Sequence, residues 1–346
     1  MPIIIFNLPR LIREEVLKHL TFHEIFNLSL CSNSTRRAIQ FMRWPILRIQ
    51  YCIKPTSFLV VLERKCGRDA MIVLTYGSRD WNRGAEEVEL ASGMRFWFKK
   101  NPEIEKITHR LEYEVGKNRE DAQLAIHYYV HSLFRFKPET CFILTYSQTF
   151  PLSIPNIPGI VDTRFEGDRI PIDFLEEHLS KFPTHRSATV VPKIVSGQFS
   201  RNSKIFQLEG LFCMTTSEHT HQLLSEFQGK QLFLFNAICL CPVIRNMVVD
   251  WMENKGKYNN LEALLVRLGG NYGLGFSVEF VLYDLDLMPK DPERKPMVFQ
   301  VPLRIISDFD QVEIDCTNAV DIVRKVDNKR ASTRVGATTF GFCVWN

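Results

Sequence analysis

The side chains best suited to chemistry in this 346-residue sequence stand in a few short patterns. Cys239-x-Cys241 and His219-x-His221 offer sulfur and imidazole ligands. Zinc sites, however, usually pair Cys-x-x-Cys knuckles, and no second pair stands at a suitable distance. Both cysteines fall in an apolar run, where burial as ordinary thiols is expected. His127 and His131, four apart on an expected helix, could face one ion, but the glutamate that adds a general base in His-Glu-x-x-His is missing. They read as polar positions of a packing helix. Gly269 to Gly275 is glycine-rich, yet no Lys-Ser or Lys-Thr follows and the dinucleotide spacing is not met, so a turn is expected rather than a phosphate cradle.

Nucleophilic catalysis has no better footing. No Gly-x-Ser-x-Gly elbow exists and the cysteines lack a recognisable partner signature. No catalytic residue, metal site or cofactor is therefore expected, and an enzyme would need an unrecognised site. Arg36, Arg37 and Arg43 cluster near the third of three short helices, the position from which a helix-turn-helix protein reads the major groove. The segment lacks the glycine typical of that turn, and the near-neutral body supplies no extended phosphate track. Solvated arginines are the plainer account, and nucleic acid is not the expected partner.

Composition narrows the classes further. The chain is 45% hydrophobic and 12% aromatic, enough for a substantial core. A formal net charge of +4 announces no single-sign field for polyanions or lipid headgroups. Nine cysteines, an odd number scattered through the chain, suit reduced thiols and a cytoplasmic or nuclear setting. Ile3 to Phe6 gives way at once to Asn7, Leu8 and Pro9, which does not read as a signal peptide. Leu232 to Ile244, the most apolar stretch, is broken by Asn236 and Pro242 and is too short to span a membrane.

The elements that must position any site begin with three short helices. Pro9 suits a first helical turn, because its missing N–H would be unpaired there anyway. Ile12, Val16 and Leu20 recur every four residues beside Leu17, opposite Arg13, Glu14, Glu15, Lys18 and His19. Thr21 and Glu24 form a capping box for a second helix carrying Ile25 and Leu28. Ser32 and Asn33 can cap a third, with Ala38, Ile39 and Met42 inward, Thr35, Arg36, Arg37 and Gln40 outward, and Pro45 as its stop. Helices this short cannot bury all their apolar surface on one another. Part must be covered by a partner chain or, more plainly, by the main domain they cap.

The body reads as α+β or α/β. Ile46 to Ile53, Phe58 to Leu62 and Met71 to Tyr76 predict a small antiparallel sheet within 46–100, with Pro55 and Gly67 in its turns. Over 104–270 helical and strand-like stretches alternate. Asp121 to Phe134 precedes Cys141 to Tyr146, Ile172 to Lys181 precedes Ala188 to Val195, Ser217 to Phe227 precedes Leu232 to Phe235, and Val243 to Glu253 precedes Leu261 to Leu268. Spacings of roughly thirty to forty-five residues suggest solenoid-like helix–strand units. The tail, 271–346, returns to strands at Met297 to Ile306 and Thr338 to Trp345.

Leu8-Pro9-x-Leu11, Val16-Leu17-x-x-Leu20, Glu24-Ile25-x-x-Leu28-Ser29-Leu30-Cys31-Ser32 and Arg36-Arg37 together resemble the F-box, particularly that of nematode-type F-box proteins. The resemblance implies an F-box over 1–45 whose Leu8, Pro9, Leu11, Val16, Leu17, Leu20, Ile25 and Leu28 bind a Skp-type adaptor, and through it a cullin and a RING protein. Leu232-Phe-Leu-Phe-Asn236, Trp251 with Asn260-Leu261-Glu262, and Arg324 leading through Arg330-Ala331 to Val344-Trp345 are similar to the F-box-associated domain, type 2, over 46–346. The family's Asp-Gly-x-x-Ala-Thr is only partly matched by Asp327-Asn-Lys-Arg-Ala331-Ser332. The implied function is a non-catalytic substrate-recognition subunit of a Skp–cullin–F-box ubiquitin ligase that captures an unspecified protein.

Overall fold

The computed structural model of the chain describes residues 8–42, 44–64, 67–75, 86–90, 94–100, 109–112, 118–134, 139–270, 275–289, 298–302 and 311–345. The chain has three N-terminal helices followed by a mixed α+β body. It forms two compact units, Met1–Ile160 and Val161–Asn346. Within the first unit the N-terminal helices share a core with residues that follow them, Phe22 meeting Trp44 and Phe134.

The first unit opens with α1 (Arg10–Lys18), α2 (Phe22–Cys31) and α3 (Asn33–Gln40). The cap signals operate as residue chemistry requires. The Thr21 backbone N–H and hydroxyl both donate to Glu24 Oε2, at 2.8 and 2.7 Å, and the Ser32 hydroxyl accepts from the Thr35 N–H at 3.1 Å. Thr35, expected outward, is buried, since its hydroxyl also pairs with that of Ser32 at 2.7 Å. Ile39 and Met42 are buried as expected, and the helix ends at Gln40, well before Pro45.

Next come β1 (Ile46–Lys54), β2 (Ser57–Arg64), β3 (Gly67–Thr75), β4 (Glu86–Glu89), β5 (Arg95–Lys100), β6 (His109–Glu112), α4 (Arg119–Phe134) and β7 (Glu139–Thr145). β1, β2 and β3 form an antiparallel meander. β1 also pairs in parallel with β7, and β3 with β6, so the sheet is mixed rather than purely antiparallel. β4 to β6 were not evident from the sequence. Phe58, Val60 and Leu62 alternate inward along β2, as a half-buried strand demands.

His127 and His131 fall on α4, but not as two polar faces. His127 is 4% exposed and shares a 2.7 Å hydrogen bond between its Nδ1 and the hydroxyl of buried Tyr51. Burial, with His131 adding repulsion, pulls the His127 pKa down to about 3, and burial lowers that of His131 as well.

The second unit contains β8 (Ile160–Glu166), β9 (Arg169–Pro171), α5 (Ile172–Lys181), β10 (Ser187–Val190), β11 (Ile194–Ser196), a 3-10 turn (Lys204–Gln207), β12 (Gly210–Cys213), α6 (Thr220–Glu226), β13 (Gln231–Ala237), α7 (Cys241–Met252), β14 (Ala263–Leu268), α8 (Val278–Val281), β15 (Met288–Pro289), β16 (Val298–Pro302), β17 (Gln311–Asp315), β18 (Val320–Val323), β19 (Arg330–Val335) and β20 (Thr339–Trp345). β8, β10, β12, β13 and β14 lie side by side in sequence order and all parallel. β10 and β12 are buried at every position, the pattern of strands covered on both faces. One cover is helical, with Leu175 and Leu179 of α5 and Ile244, Val248 and Trp251 of α7 buried. Another comes from β17, whose Val312 and Ile314 pack with Phe212, Phe233 and Leu265.

The sequential stack is tighter than the expected spacing, because β12, four residues long, carries too little pattern to be recognised. The expected strand Ala188 to Val195 is two strands in different sheets, β10 and β11. Pro192, which lacks a ladder donor, lies between them. β14 is then closed by the antiparallel series β20, β19, β18. The expected Met297 to Ile306 strand is described only over β16, its remainder lying outside the described residues.

Trp251, Arg324 and Asn259 meet in this unit. The Arg324 guanidinium, 4% exposed, stands 5.3 Å from the Trp251 ring, holds Asp327 through two bonds of 2.8 and 2.5 Å, and donates to the Asn259 carbonyl at 3.2 Å. Its hydrogen bonding pulls the Asp327 carboxyl down to about 2.

Two outcomes follow from these buried groups. Arg324→Ala should destabilise the fold by about 2 to 3 kcal/mol in urea unfolding, with Arg324→Lys intermediate because a point charge replaces a planar fork; equal stability of all three proteins would contradict the packing. Because His127 stays neutral in the folded chain down to about pH 3, the unfolded chain binds the extra proton once the pH drops below its ordinary value. Stability should therefore be flat above about pH 7 and decline as acid is added, by up to about 1.4 kcal/mol per pH unit from this residue. His127→Gln should flatten that decline in pH-dependent thermal melts.

Candidate partner-docking surface

α1 starts where Pro9, at φ −51° and ψ 147°, turns the chain into the helix and accepts the Arg13 N–H through its carbonyl at 3.0 Å. At nine residues the helix is too short to persist in water on its own. Leu17 at 3% exposure is its one buried residue. Leu11 at 80%, Ile12 at 51% and Val16 at 36% face outward, with Ile12 and Val16 one turn apart and Leu11 beside them. Pro9 is exposed and Leu8 half-buried at the start of this stripe. Charged residues flank it: Arg10 pairs with Glu14 at 2.6 Å, which lowers the Glu14 pKa, and Lys18 with Glu15 at 3.1 Å. The stripe is thus an apolar strip bordered by charge, suited to a helix-in-groove contact.

The eight residues named from sequence divide into three groups by exposure. Pro9, Leu11 and Val16 are presented to solvent, and Leu8, Leu20 and Leu28 are half-buried. Leu17 and Ile25, 3% and 0% exposed, belong to the interior and support the surface without forming it. Ile12, absent from that set though part of the same four-residue repeat, belongs to the exposed stripe.

The anchor that holds these helices in place was also not evident from the sequence. α2 buries Phe22, Phe26 and Ser29. The Phe22 ring meets Trp44 and Phe134 edge to face, at centroid distances of 6.0 and 5.4 Å, and carries the Arg64 guanidinium 4.4 Å from its centre. Phe26 meets Tyr129 edge to face at 5.5 Å, and the Tyr129 hydroxyl bonds that of Ser29 at 2.8 Å. Burial raises the Tyr129 pKa, against the opposing influence of Ser29 and Arg36. Arg36 is half-buried, Arg37 is exposed, and Arg43 lies outside the described residues.

The other candidate groups do not assemble into a centre. Cys239 is buried, its thiol pushed up to about 12 by desolvation, whereas Cys241 opens α7, correcting its expected place in the apolar run, and accepts the Ser277 N–H at 3.4 Å. His219 is buried with Nε2 3.3 Å from the Val195 carbonyl, while His221 is exposed. Gly275 has a packing role, since a Cβ there would lie 2.6 Å from the Ala337 carbonyl oxygen; 271–274 lie outside the described residues. Among the described residues, no group of three or more His, Cys, Asp or Glu is placed to hold a metal ion. No helix among them is long and apolar enough to cross a membrane.

No curated protein and no solved structure matches the chain. The family model of the F-box domain matches residues 5–44, the span that contains Leu8, Pro9, α1, α2, α3 and Trp44. Residues 5–44 of this chain are an F-box domain.

Proposed function

We propose that the chain is the substrate-recognition subunit of a Skp–cullin–F-box ubiquitin ligase, working in the cytoplasm or nucleus. F-box domains bind Skp-type adaptors in such complexes, and F-box proteins are generally non-catalytic adaptors. The observation that carries the reading is the solvent-facing stripe of Leu11, Ile12 and Val16 inside a segment that is an F-box. Leu8, Pro9, Leu20 and Leu28 extend the adaptor contact, which Leu17 and Ile25 support from within. The adaptor links the chain to a cullin and a RING protein, and the recruited ubiquitin-conjugating enzyme performs the chemistry.

The α+β body captures the target protein in this reading, as an F-box-associated domain of type 2 would. Support comes from the convergence of the stretches that carry the resemblance: Trp251 stacks on Arg324 and meets Phe342 edge to face at 5.2 Å. The DNA-reading alternative has less in its favour. A single residue, Ser32, separates α2 from α3, where a helix-turn-helix uses a turn of about three to four residues, and Arg36 is half-buried.

Co-purification tests the proposal. The intact chain should capture a Skp-type adaptor and a cullin, and Leu11→Ala with Val16→Ala should reduce capture by about tenfold or more without changing the melting temperature, because both side chains are exposed in the free chain. Undiminished capture by that variant, or no capture by the intact chain, defeats the adaptor reading. Salt-sensitive binding to duplex DNA would favour the alternative.

A further inference from the structure

α8 and the turn after it form an exposed apolar patch in the second unit. Val278 is 50% exposed, Phe280 48% and Tyr283 71%. Leu240, 56% exposed, belongs to the same neighbourhood, because the next residue, Cys241, accepts the Ser277 N–H and lies 3.8 Å from the Gly275 carbonyl. Exposed single hydrophobes are ordinary, but aromatic and aliphatic groups gathered around one short helix mark a binding surface.

The patch has shape and charge. Arg245 of α7 donates to the Tyr283 carbonyl, and its guanidinium lies 5.9 Å from the Tyr283 ring centre, fixing the turn against α7. Between Arg245, Ser277, Glu279, Phe280 and Tyr283 lies a shallow pocket of about 490 Å3. Asp284 follows in the left-handed region, at φ 53°, which turns the chain sharply after Tyr283. Glu279, Asp284 and Asp286 are all exposed within this short segment, three carboxylates against the Arg245 guanidinium, whose bond to a neutral carbonyl leaves its charge in place. Aromatic faces and carboxylates side by side attract the same chemistry: cations that stack on a ring and pair with an acid, next to apolar side chains that fill the pocket.

We infer that the α7–α8 face is a docking surface for a target-protein segment in which Lys or Arg residues alternate with large apolar side chains. The occupant's identity as a target rests on the receptor reading above. Leu or Phe of the segment enters the pocket beside Phe280, while its cations lie over Tyr283 and against Glu279 and Asp286. The acidic rim excludes acidic segments and steers basic ones.

Selection of a random dodecapeptide library on the intact chain tests this. Selected peptides should combine Lys or Arg with Leu or Phe, and a synthetic copy of the strongest should bind more weakly as salt rises. Its affinity should fall about tenfold or more with Phe280→Ser and Tyr283→Ser together, and with Glu279→Lys and Asp286→Lys together. Circular dichroism melts should be unchanged, since all four side chains are exposed. Absence of selected binders, enrichment of acidic or uncharged peptides, or indifference to both variants would overturn the inference. So would dimerisation of the chain abolished by the Phe280 and Tyr283 variant, which would assign the face to a second copy. Adaptor capture by the same variants separates the two readings: lost peptide binding with intact capture is expected, whereas peptide binding without any capture would remove the ligase role and leave the surface standing.

Discussion

Everything the F-box can do depends on the edge-to-face aromatic cluster that seats α2 within the first unit. Helices of nine, ten and eight residues are too short to hold their shape by propensity. Phe22 against Trp44 and Phe134, and Phe26 against Tyr129, supply packing that the helices cannot obtain from one another. With one face of α2 committed to this interior, α1 is left free to present Leu11, Ile12 and Val16 outward. The exposed apolar strip is therefore a product of asymmetry: burial is concentrated on α2 and α3, and exposure on α1.

Local signals in the sequence determined much of this architecture. Thr21 with Glu24, and Ser32 with Thr35, act through hydrogen bonds that span three residues, so the helix starts could be read directly. The ends of α5 and the antiparallel pairing of β1 with β2 were equally legible, since periodicity and a Pro-Thr turn specify them locally. What escaped reading was determined at a distance. β12 is four residues long and is a strand because β10 and β13 flank it; its own residues carry no alternation. β6 joins β3 in parallel, a pairing set by sheet context.

The site was legible in the same graded way. Apolar spacing identified a helix with a continuous hydrophobic repeat, but spacing alone cannot separate residues that face solvent from those that face the interior. Leu17 and Val16 are adjacent, yet one is 3% exposed and the other 36%. Tyr129 and Phe134 lie about a hundred residues from the helices they anchor, and no periodicity connects such distant positions. His127 illustrates the converse: its place on α4 was clear, while its neutral, buried state depends on Tyr51, far earlier in the chain.

The sequence-ordered parallel stack has a consequence for how the second unit comes into being on the ribosome. β10 pairs with β8, β12 with β10, β13 with β12 and β14 with β13, so each new strand meets a partner that has already been synthesised. Each closure spans one crossover of about twenty residues, three of the four carrying a helix, so its entropic cost stays modest and assembly can proceed vectorially. The exception is β20, which pairs with β14 only after some seventy intervening residues have emerged. Until then that backbone edge of β14 lacks its partner strand, and an unpaired edge is a template for pairing with other chains.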